Sequence, residues 1–163
     1  MAPTASLRHV SLEVSDIART TWFYDRFLGE LGFRRFVQEA DYVAFTDGDL
    51  TLWLIKVRSP RIRRHPPTGE EEVVAEHLAF HVDSPERVAA IEAKLTKAEL
   101  YPLFRGEEHP EFRPGYFSAT WADPDQIVLE VYSVPAKKAK RGARRSAKPR
   151  RAATTKKKAR RRT

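Results

Sequence analysis

Apolar and polar residues alternate over residues 7–14, and a related run follows at residues 76–83. A period of two is typical of a strand that has one face in the core. His9 and His77 take matching places early in the two runs, 68 residues apart. The pattern therefore predicts two copies of one supersecondary unit.

The first run leads into a helix and then into more strands. Ser15 or Asp16 can cap a helix that continues to about Leu31, and Gly32 supplies the stop. Short apolar runs follow this helix, with a hairpin turn between the last two. They indicate a βαβββ module over about residues 6–57, with closing strands at residues 33–38, 42–46 and 51–57 and the turn at residues 47–49.

A linker interrupted by Pro and Gly at residues 58–72 separates this module from the second. The second module restarts at Val73 or Val74 and repeats the order, with Ser84 as helix cap and Pro85 in the first turn. The predicted class is an α+β domain over residues 1–135. The second module covers about residues 73–134, with an interrupted stretch at 101–115 and strands at 116–122 and 127–134 around a turn at 123–125.

The basic residues are concentrated at the end of the chain. Residues 137–163 hold 15 of the 30 Lys and Arg residues and no acidic residue, which leaves 15 basic against 22 acidic residues elsewhere. The tail, residues 136–163, lacks the apolar residues that offset ordering entropy, so we expect it to be disordered in isolation. Its cations suit non-specific contact with nucleic-acid phosphates, without aromatic residues for base stacking. A solubilising extension without a partner is an equal alternative.

The chain has no cysteine, which excludes disulfides, thiolate metal sites and a cysteine nucleophile. No apolar run approaches the roughly 18 residues of a membrane span, and the polar first six residues lack the apolar core of a secretory signal. We therefore expect a cytoplasmic protein that does not enter a membrane.

Short motifs follow one another in a fixed order along the chain. They are HVSLEVSD from His9, WFYDRFL from Trp22 followed by LGF, HLAF from His77, GYF from Gly115, and DPD from Asp123 followed by Glu130. Over about residues 6–134 the chain thereby resembles the vicinal oxygen chelate superfamily, which includes glyoxalases, bleomycin-resistance proteins and extradiol dioxygenases.

The resemblance implies two βαβββ modules that pair into a curled mixed sheet around a cavity with a divalent metal. Family members take metal ligands from the first and last strands of each module, here His9, Trp53, His77 and Glu130. Trp53 cannot bind a cation, so the implied metal set is His9, His77 and Glu130. Iron or manganese suits such mixed ligation and zinc is possible, and open coordination positions hold a substrate through two neighbouring oxygens.

Two positions depart from the patterns of particular family members. Glyoxalase I types have a Glu, both ligand and base, where this chain has Trp53, which argues against lactoylglutathione lyase chemistry. Extradiol dioxygenases resemble one another in a Tyr ten residues before the final Glu. This chain has Thr120 there, which argues against ring cleavage of catechols.

Three side chains are candidates for proton transfer beside the implied metal. Glu13 and His81 stand four residues after His9 and His77, so strand alternation places each on the same face as its histidine. Tyr116 adjoins a segment that the resemblance places over the cavity mouth. Acid or base catalysis is one role for these groups. A polar pair bonded to its neighbours is an equal alternative for Glu13 and His81.

Three functions remain open from the sequence. The first is a metal-dependent small-molecule enzyme of lyase, isomerase or dioxygenase type that acts on an oxygen-rich substrate. The second is a metal-free binding protein of the bleomycin-resistance kind, which sequesters a ligand. The third is a nucleic-acid-associated protein that acts through its tail. Both a monomer and a homodimer are compatible with the resemblance.

Overall fold

The computed structural model describes residues 5–57 and 77–135. In that part of the chain two helices and eight strands repeat one order, and the predicted βαβββ pattern is confirmed. The elements are β1 (His9–Val14), α1 (Ile17–Glu30), β2 (Arg34–Gln38), β3 (Tyr42–Thr46), β4 (Thr51–Lys56), β5 (His77–Val82), α2 (Pro85–Lys97), β6 (Phe104–Glu108), β7 (Phe117–Ala122) and β8 (Val128–Ser133).

The strands form two four-stranded mixed sheets with the same topology. Their orders are β1-β4-β3-β2 and β5-β8-β7-β6, so the first strand of each module lies at a sheet edge. In each module the first strand pairs in parallel with the last, and the remaining neighbours are antiparallel. The predicted α+β class is confirmed. The two sheets are separate, and the joint curled sheet around a cavity stays a prediction.

Local sequence signals define both helices. Asp16 is the N-cap of α1 and accepts a hydrogen bond from the Arg19 N–H, and Gly32 follows the helix with a φ of +87°. Ser84 caps α2 through the Arg87 N–H, with Pro85 at the start. The choice between Ser15 and Asp16 is thus settled by the cap geometry.

Strand β6 lies inside the stretch that the sequence indicated only as interrupted. Its five residues, FRGEE, show no alternation, so contacts from other elements define it. The Gly106 N–H donates to Glu92 Oε2 of α2 at 2.8 Å, and a Cβ at Gly106 would lie 3.0 Å from the Phe117 ring. The pairing of β6 with β7 shifts register between Phe104 and Glu107. The absence of a side chain at Gly106 therefore lets Glu92 and Phe117 pack closely against this edge strand and hold it in place.

The linker, the start of the second module at Val73 or Val74, and the basic tail from residue 136 lie outside the described residues. Neither described helix has the length and hydropathy needed to span a membrane.

Helix α1 joins the two modules through a shared aromatic core. Phe27 is fully buried, and its ring lies 6.0 Å from Phe80 of β5 and 5.4 Å from Trp121 of β7, both in edge-to-face geometry. Edge-to-face pairs add to the burial energy of the rings. Helix α1 packs against the sheet of its own module, where Tyr24 lies 6.3 Å from Phe45 of β3, and Phe27 extends this core to the second sheet.

The turn after β7 fixes α1 from a second direction. Asp123, which is 2% exposed, accepts the backbone N–H groups of Asp125 and Ile127 at 2.8 Å and the Tyr24 hydroxyl at 3.1 Å. Asp125 accepts the Ser15 N–H at 3.1 Å. Burial raises the pKa of Asp123 above its ordinary value although the backbone N–H groups act in the opposite direction.

Loss of the Phe27 ring is expected to destabilise both modules together. Phe27→Ala leaves a cavity at their interface and should lower the free energy of unfolding by about 3–5 kcal/mol. Trp22→Ala, on the exposed face of the same helix, removes a cation–π contact with Arg26 and should cost about 1 kcal/mol or less. Urea denaturation measures both. Equal losses in the two variants would contradict a shared core at Phe27.

Because the pKa of Asp123 is raised, a neutral residue at this position should stabilise the protein by an amount that depends on pH. A carboxyl whose pKa is raised by folding contributes stability at low pH that is lost as the pH rises through the folded-state pKa. Asn keeps the acceptor for the backbone N–H groups without a buried charge. The unfolding free energy of Asp123→Asn should therefore rise relative to wild type as the pH increases above about 4, the ordinary pKa of an Asp carboxyl.

Urea denaturation across that pH range tests the expectation. Asp49→Asn is the control, because the Asp49 side chain is 96% exposed. A difference between Asp123→Asn and wild type that stays constant with pH, as in the control, would contradict the role assigned to burial.

Candidate metal centre

The polar faces of β1 and β5 are open, as strand alternation predicted. His9, Ser11 and Glu13 are exposed on β1, while the intervening side chains face the core. His77 and His81 are exposed on β5 in the same way. Each histidine therefore shares a strand face with the acid or base candidate four residues later.

A buried carboxylate forms the centre of the open face of the second sheet. The Glu130 side chain is 9% exposed, and its Oε2 lies 3.1 Å from His77 Nε2. Its Oε1 accepts a hydrogen bond from the Tyr116 hydroxyl at 2.8 Å. Both oxygens of Glu130 thus have partners, as a buried carboxylate requires.

Sheet register brings these groups together. Glu130 pairs with Ala79 across the parallel β5–β8 ladder, so His77 stands diagonally beside it. On the other side Glu130 pairs with Thr120 of β7. The buried Thr120 hydroxyl has no hydrogen-bond partner among the described residues. One free polar atom therefore lies on the strand next to the His77–Glu130 pair.

The segment between β6 and β7 presents Tyr116 to Glu130. The Tyr116 N–H donates to the Arg113 carbonyl at 2.9 Å, and the Tyr116 carbonyl accepts the His109 N–H at 2.7 Å. Gly115 has a φ of +74°, and a Cβ there would lie 2.4 Å from the Pro135 ring. Only glycine suits this position, so the backbone conformation just before Tyr116 is fixed.

Aromatic rings surround the carboxylate. Tyr116 stacks on Tyr132 with centroids 5.1 Å apart and planes at 10°, and His81 lies edge-on to Tyr132 at 5.3 Å. Phe112 is 72% exposed and packs edge-to-face against Tyr116 at 5.8 Å. Burial raises the pKa of Tyr116 well above its ordinary value, and the hydrogen bond to Glu130 adds to this effect.

The first module presents a different surface. Trp53 pairs with Ser11 across the β1–β4 ladder and contacts Phe36 and Tyr42 at ring distances of 6.0 Å. His9 and Glu13 flank Ser11 on the same strand face. An aromatic cluster thus occupies the place where the family resemblance implied another ligand.

The single chain brings together only part of the predicted site. Glu130 contacts both His77 and Tyr116, and His81 is connected to Tyr116 through the ring of Tyr132. Within residues 5–57 and 77–135, no three His, Asp or Glu side chains converge on a point where they would hold one ion. His9 is therefore not brought to the pair within one copy, and the full metal set stays a prediction.

The His77–Glu130 pair fits a divalent ion as two neighbouring ligands. With bonds of about 2.1 Å, adjacent ligand atoms around an octahedral ion are about 3 Å apart. The two atoms are 3.1 Å apart, so an ion can replace the shared proton with little movement of either side chain. The geometry of this pair is thus compatible with two of the three predicted ligands.

Two cavities among residues 5–57 and 77–135 do not coincide with this pair. One of about 380 Å³ lies by the N-terminal end of α1 and is lined by Asp16, Gln38, Glu39 and Lys56 among others. The other, about 100 Å³, is apolar and has residues of β1, β4 and β5 around it. The His77–Glu130 pair therefore lies on an open sheet face and not in either cavity.

The sequence comparison assigns the chain to a family. The model of the glyoxalase/bleomycin resistance protein/dioxygenase superfamily matches residues 6–131. The chain belongs to this superfamily. The match includes every candidate residue of both modules and ends before the basic tail.

Similar proteins agree with this membership. The Bacillus subtilis (strain 168) protein YqjT is 28% identical over 126 residues, which are 77% of this chain and 96% of that protein. A crystal structure of a glyoxalase candidate from Bacillus halodurans is 26% identical with a TM-score of 0.63 and covers 80% of this chain and 96% of that one. Lactoylglutathione lyase from Agrobacterium tumefaciens shares the fold, with 20% identity and a TM-score of 0.59 over 82% of this chain and 96% of that one.

Sequence reasoning did not identify Tyr132 as the packing partner of Tyr116. Tyr132 follows Glu130 by two residues in β8, so alternation alone places both side chains on one face. That signal was available. The Tyr116–Glu130 contact had no comparable signal, because it depends on the path of residues 109–115 between two strands.

Proposed function

We propose that this chain is a metal-dependent enzyme that acts on an oxygen-rich small molecule held at a divalent ion. His77 and Glu130 are two of the metal ligands, and His9 is the third. The observation that carries the proposal is the 3.1 Å contact of His77 Nε2 with a nearly buried Glu130 carboxylate. Superfamily membership supports it, because the enzymes of this superfamily generally use divalent metals and small-molecule substrates.

A second copy of the chain supplies His9 in this proposal. His9 is exposed on an edge strand, and the His77–Glu130 pair lies on the open face of the other module. Within the described part of one copy the three ligands do not converge. A two-fold dimer that places β1 of one copy beside β5 of the other forms two equal sites, as two-fold symmetry requires.

The residues around the pair suit proton transfer next to a charged substrate. When bound, the divalent ion supplies a Lewis acid that stabilises negative charge on substrate oxygens. His81 is exposed and forms no hydrogen bond to another described residue, and an imidazole ring can both accept and donate a proton. It is the proposed proton carrier on the second module. Glu13 is exposed on β1 and is the proposed carrier on the first.

The reaction type is proposed to be a lyase or isomerase step, with dioxygenase chemistry as the alternative. The relative from Agrobacterium tumefaciens is a lactoylglutathione lyase, but at 20% identity it supports the fold alone. Trp53 in its aromatic cluster offers no base or ligand. A substrate other than the glyoxalase I substrate is therefore favoured, and His81 or Glu13 must move the proton.

A second candidate function is ligand sequestration without metal. The stacked rings of Tyr116 and Tyr132 and the exposed Phe112 favour it, because flat aromatic surfaces bind planar ligands through apolar and stacking contacts. In that case His77 and Glu130 serve as hydrogen-bonding groups of a pocket.

Metal content distinguishes the two functions. Protein purified without chelator should carry close to one divalent ion per chain by elemental analysis. His77→Ala and Glu130→Gln should lose it, because each removes one of few ligands. Glu107→Gln, which alters an exposed carboxylate on β6, is the control and should keep it. Metal-free wild-type protein that still binds planar aromatic compounds would instead favour sequestration.

Mixing of two variants tests the shared site. His9→Ala and His77→Ala should each lack complete sites. Their 1:1 mixture, after subunit exchange, should regain about a quarter of the wild-type sites, since half of the dimers are mixed and each mixed dimer has one intact site. Mass labels verify the exchange. An exchanged mixture with no regained binding, or a monomer that binds a full ion, would overturn the assignment of His9 to a second copy.

A further inference from the structure

The Tyr116 hydroxyl is fully committed to the Glu130 carboxylate. A phenol has one proton to donate, and the 2.8 Å bond to Oε1 uses it. A hydroxyl whose proton is held in this way is not free to donate it to a substrate. Its place in the site requires another explanation.

The hydrogen bond from Tyr116 gives the two oxygens of Glu130 different partners. Oε1 receives the Tyr116 proton, and Oε2 faces His77 Nε2 at 3.1 Å. Each carboxylate oxygen has two lone pairs, so the hydrogen bond does not block Oε1 but fixes the direction in which it points. Rotation of the carboxylate to turn both oxygens toward an ion beside His77 would break the bond to Tyr116. Glu130 is thereby held in an orientation that offers one oxygen.

Tyr116 itself is held rigidly enough to impose that orientation. Its ring stacks on Tyr132, and its backbone is hydrogen-bonded on both sides to the segment at residues 109–113. Gly115 in its left-handed conformation lies against Pro135. The hydroxyl therefore cannot follow Glu130 if the carboxylate turns.

We infer that Tyr116 is a positioning residue that makes Glu130 a one-oxygen metal ligand. This rests on the proposed metal function of His77 and Glu130. Groups that orient a ligand commonly change metal affinity by 10–100-fold when removed. A one-oxygen ligand also leaves one more coordination position for the two oxygens of the substrate.

The test compares Tyr116→Phe with Tyr132→Phe. Each variant loses one hydroxyl from the same stacked pair, but Tyr132 donates no hydrogen bond to a described residue. The dissociation constant for Mn²⁺ is measured by titration of the metal-stripped full chain, and the visible absorption of the Co²⁺-loaded chain reports the coordination number. Thermal unfolding verifies that each variant is folded.

Tyr116→Phe should bind Mn²⁺ about 10–100-fold more weakly than wild type and should show an altered Co²⁺ spectrum. Tyr132→Phe should match wild type in both measurements. A residue that only packs would leave the Co²⁺ spectrum unchanged. Gly115→Ala, which forces Tyr116 from its place while keeping the hydroxyl, should change the spectrum in the same direction.

Two results would overturn the inference. The first leaves the proposed metal function intact, and the second does not. If the wild-type chain binds Mn²⁺ and Tyr116→Phe has the same affinity and the same Co²⁺ spectrum, only the role of Tyr116 is contradicted. Wild-type chain that binds neither ion removes the proposed metal function and, with it, the role of Tyr116.

Discussion

A carboxylate that is nearly removed from water is the constraint on which the site depends. Burial of Glu130 would cost several kcal/mol without compensating partners, and the fold provides one for each oxygen, the His77 imidazole and the Tyr116 phenol. These partners come from the first strand of the module and from the segment before β7, so the carboxylate connects distant parts of the second module. An ion that replaces the shared proton of His77 and Glu130 would enter a group of side chains already held in place.

The position of the site follows from the packing of α1. Phe27 inserts between Phe80 and Trp121, and the turn at Asp123 and Asp125 binds the start of the same helix. Helices α1 and α2 thus cover one side of the two sheets in a shared core. The opposite strand faces, which carry the histidines, remain open to solvent or to another copy. A shared core on one side and two open faces on the other is the arrangement that a symmetric dimer can use.

Much of the fold followed from the sequence, because it depends on local signals. Alternation defined β1 and β5, and caps at Asp16 and Ser84 defined the helices. Strand β6 could not be predicted from the sequence, because its residues do not alternate between apolar and polar and because Gly106 is held by contacts with Glu92 and Phe117. The His77–Glu130 contact agreed with the expected pairing of first and last strands. The place of His9 could not be predicted in the same way, because it depends on how whole modules are arranged rather than on any residue near it.

The most direct test is a crystal structure of the full chain with Mn²⁺ or Zn²⁺, in which anomalous scattering locates the ion. The account predicts an ion bonded to His77 Nε2, to one oxygen of Glu130 and to His9 of a second copy, with the Tyr116 hydroxyl still on the other oxygen. Saturating metal that leaves the 3.1 Å contact between His77 and Glu130 free of any ion, or that binds elsewhere at full occupancy, would contradict it.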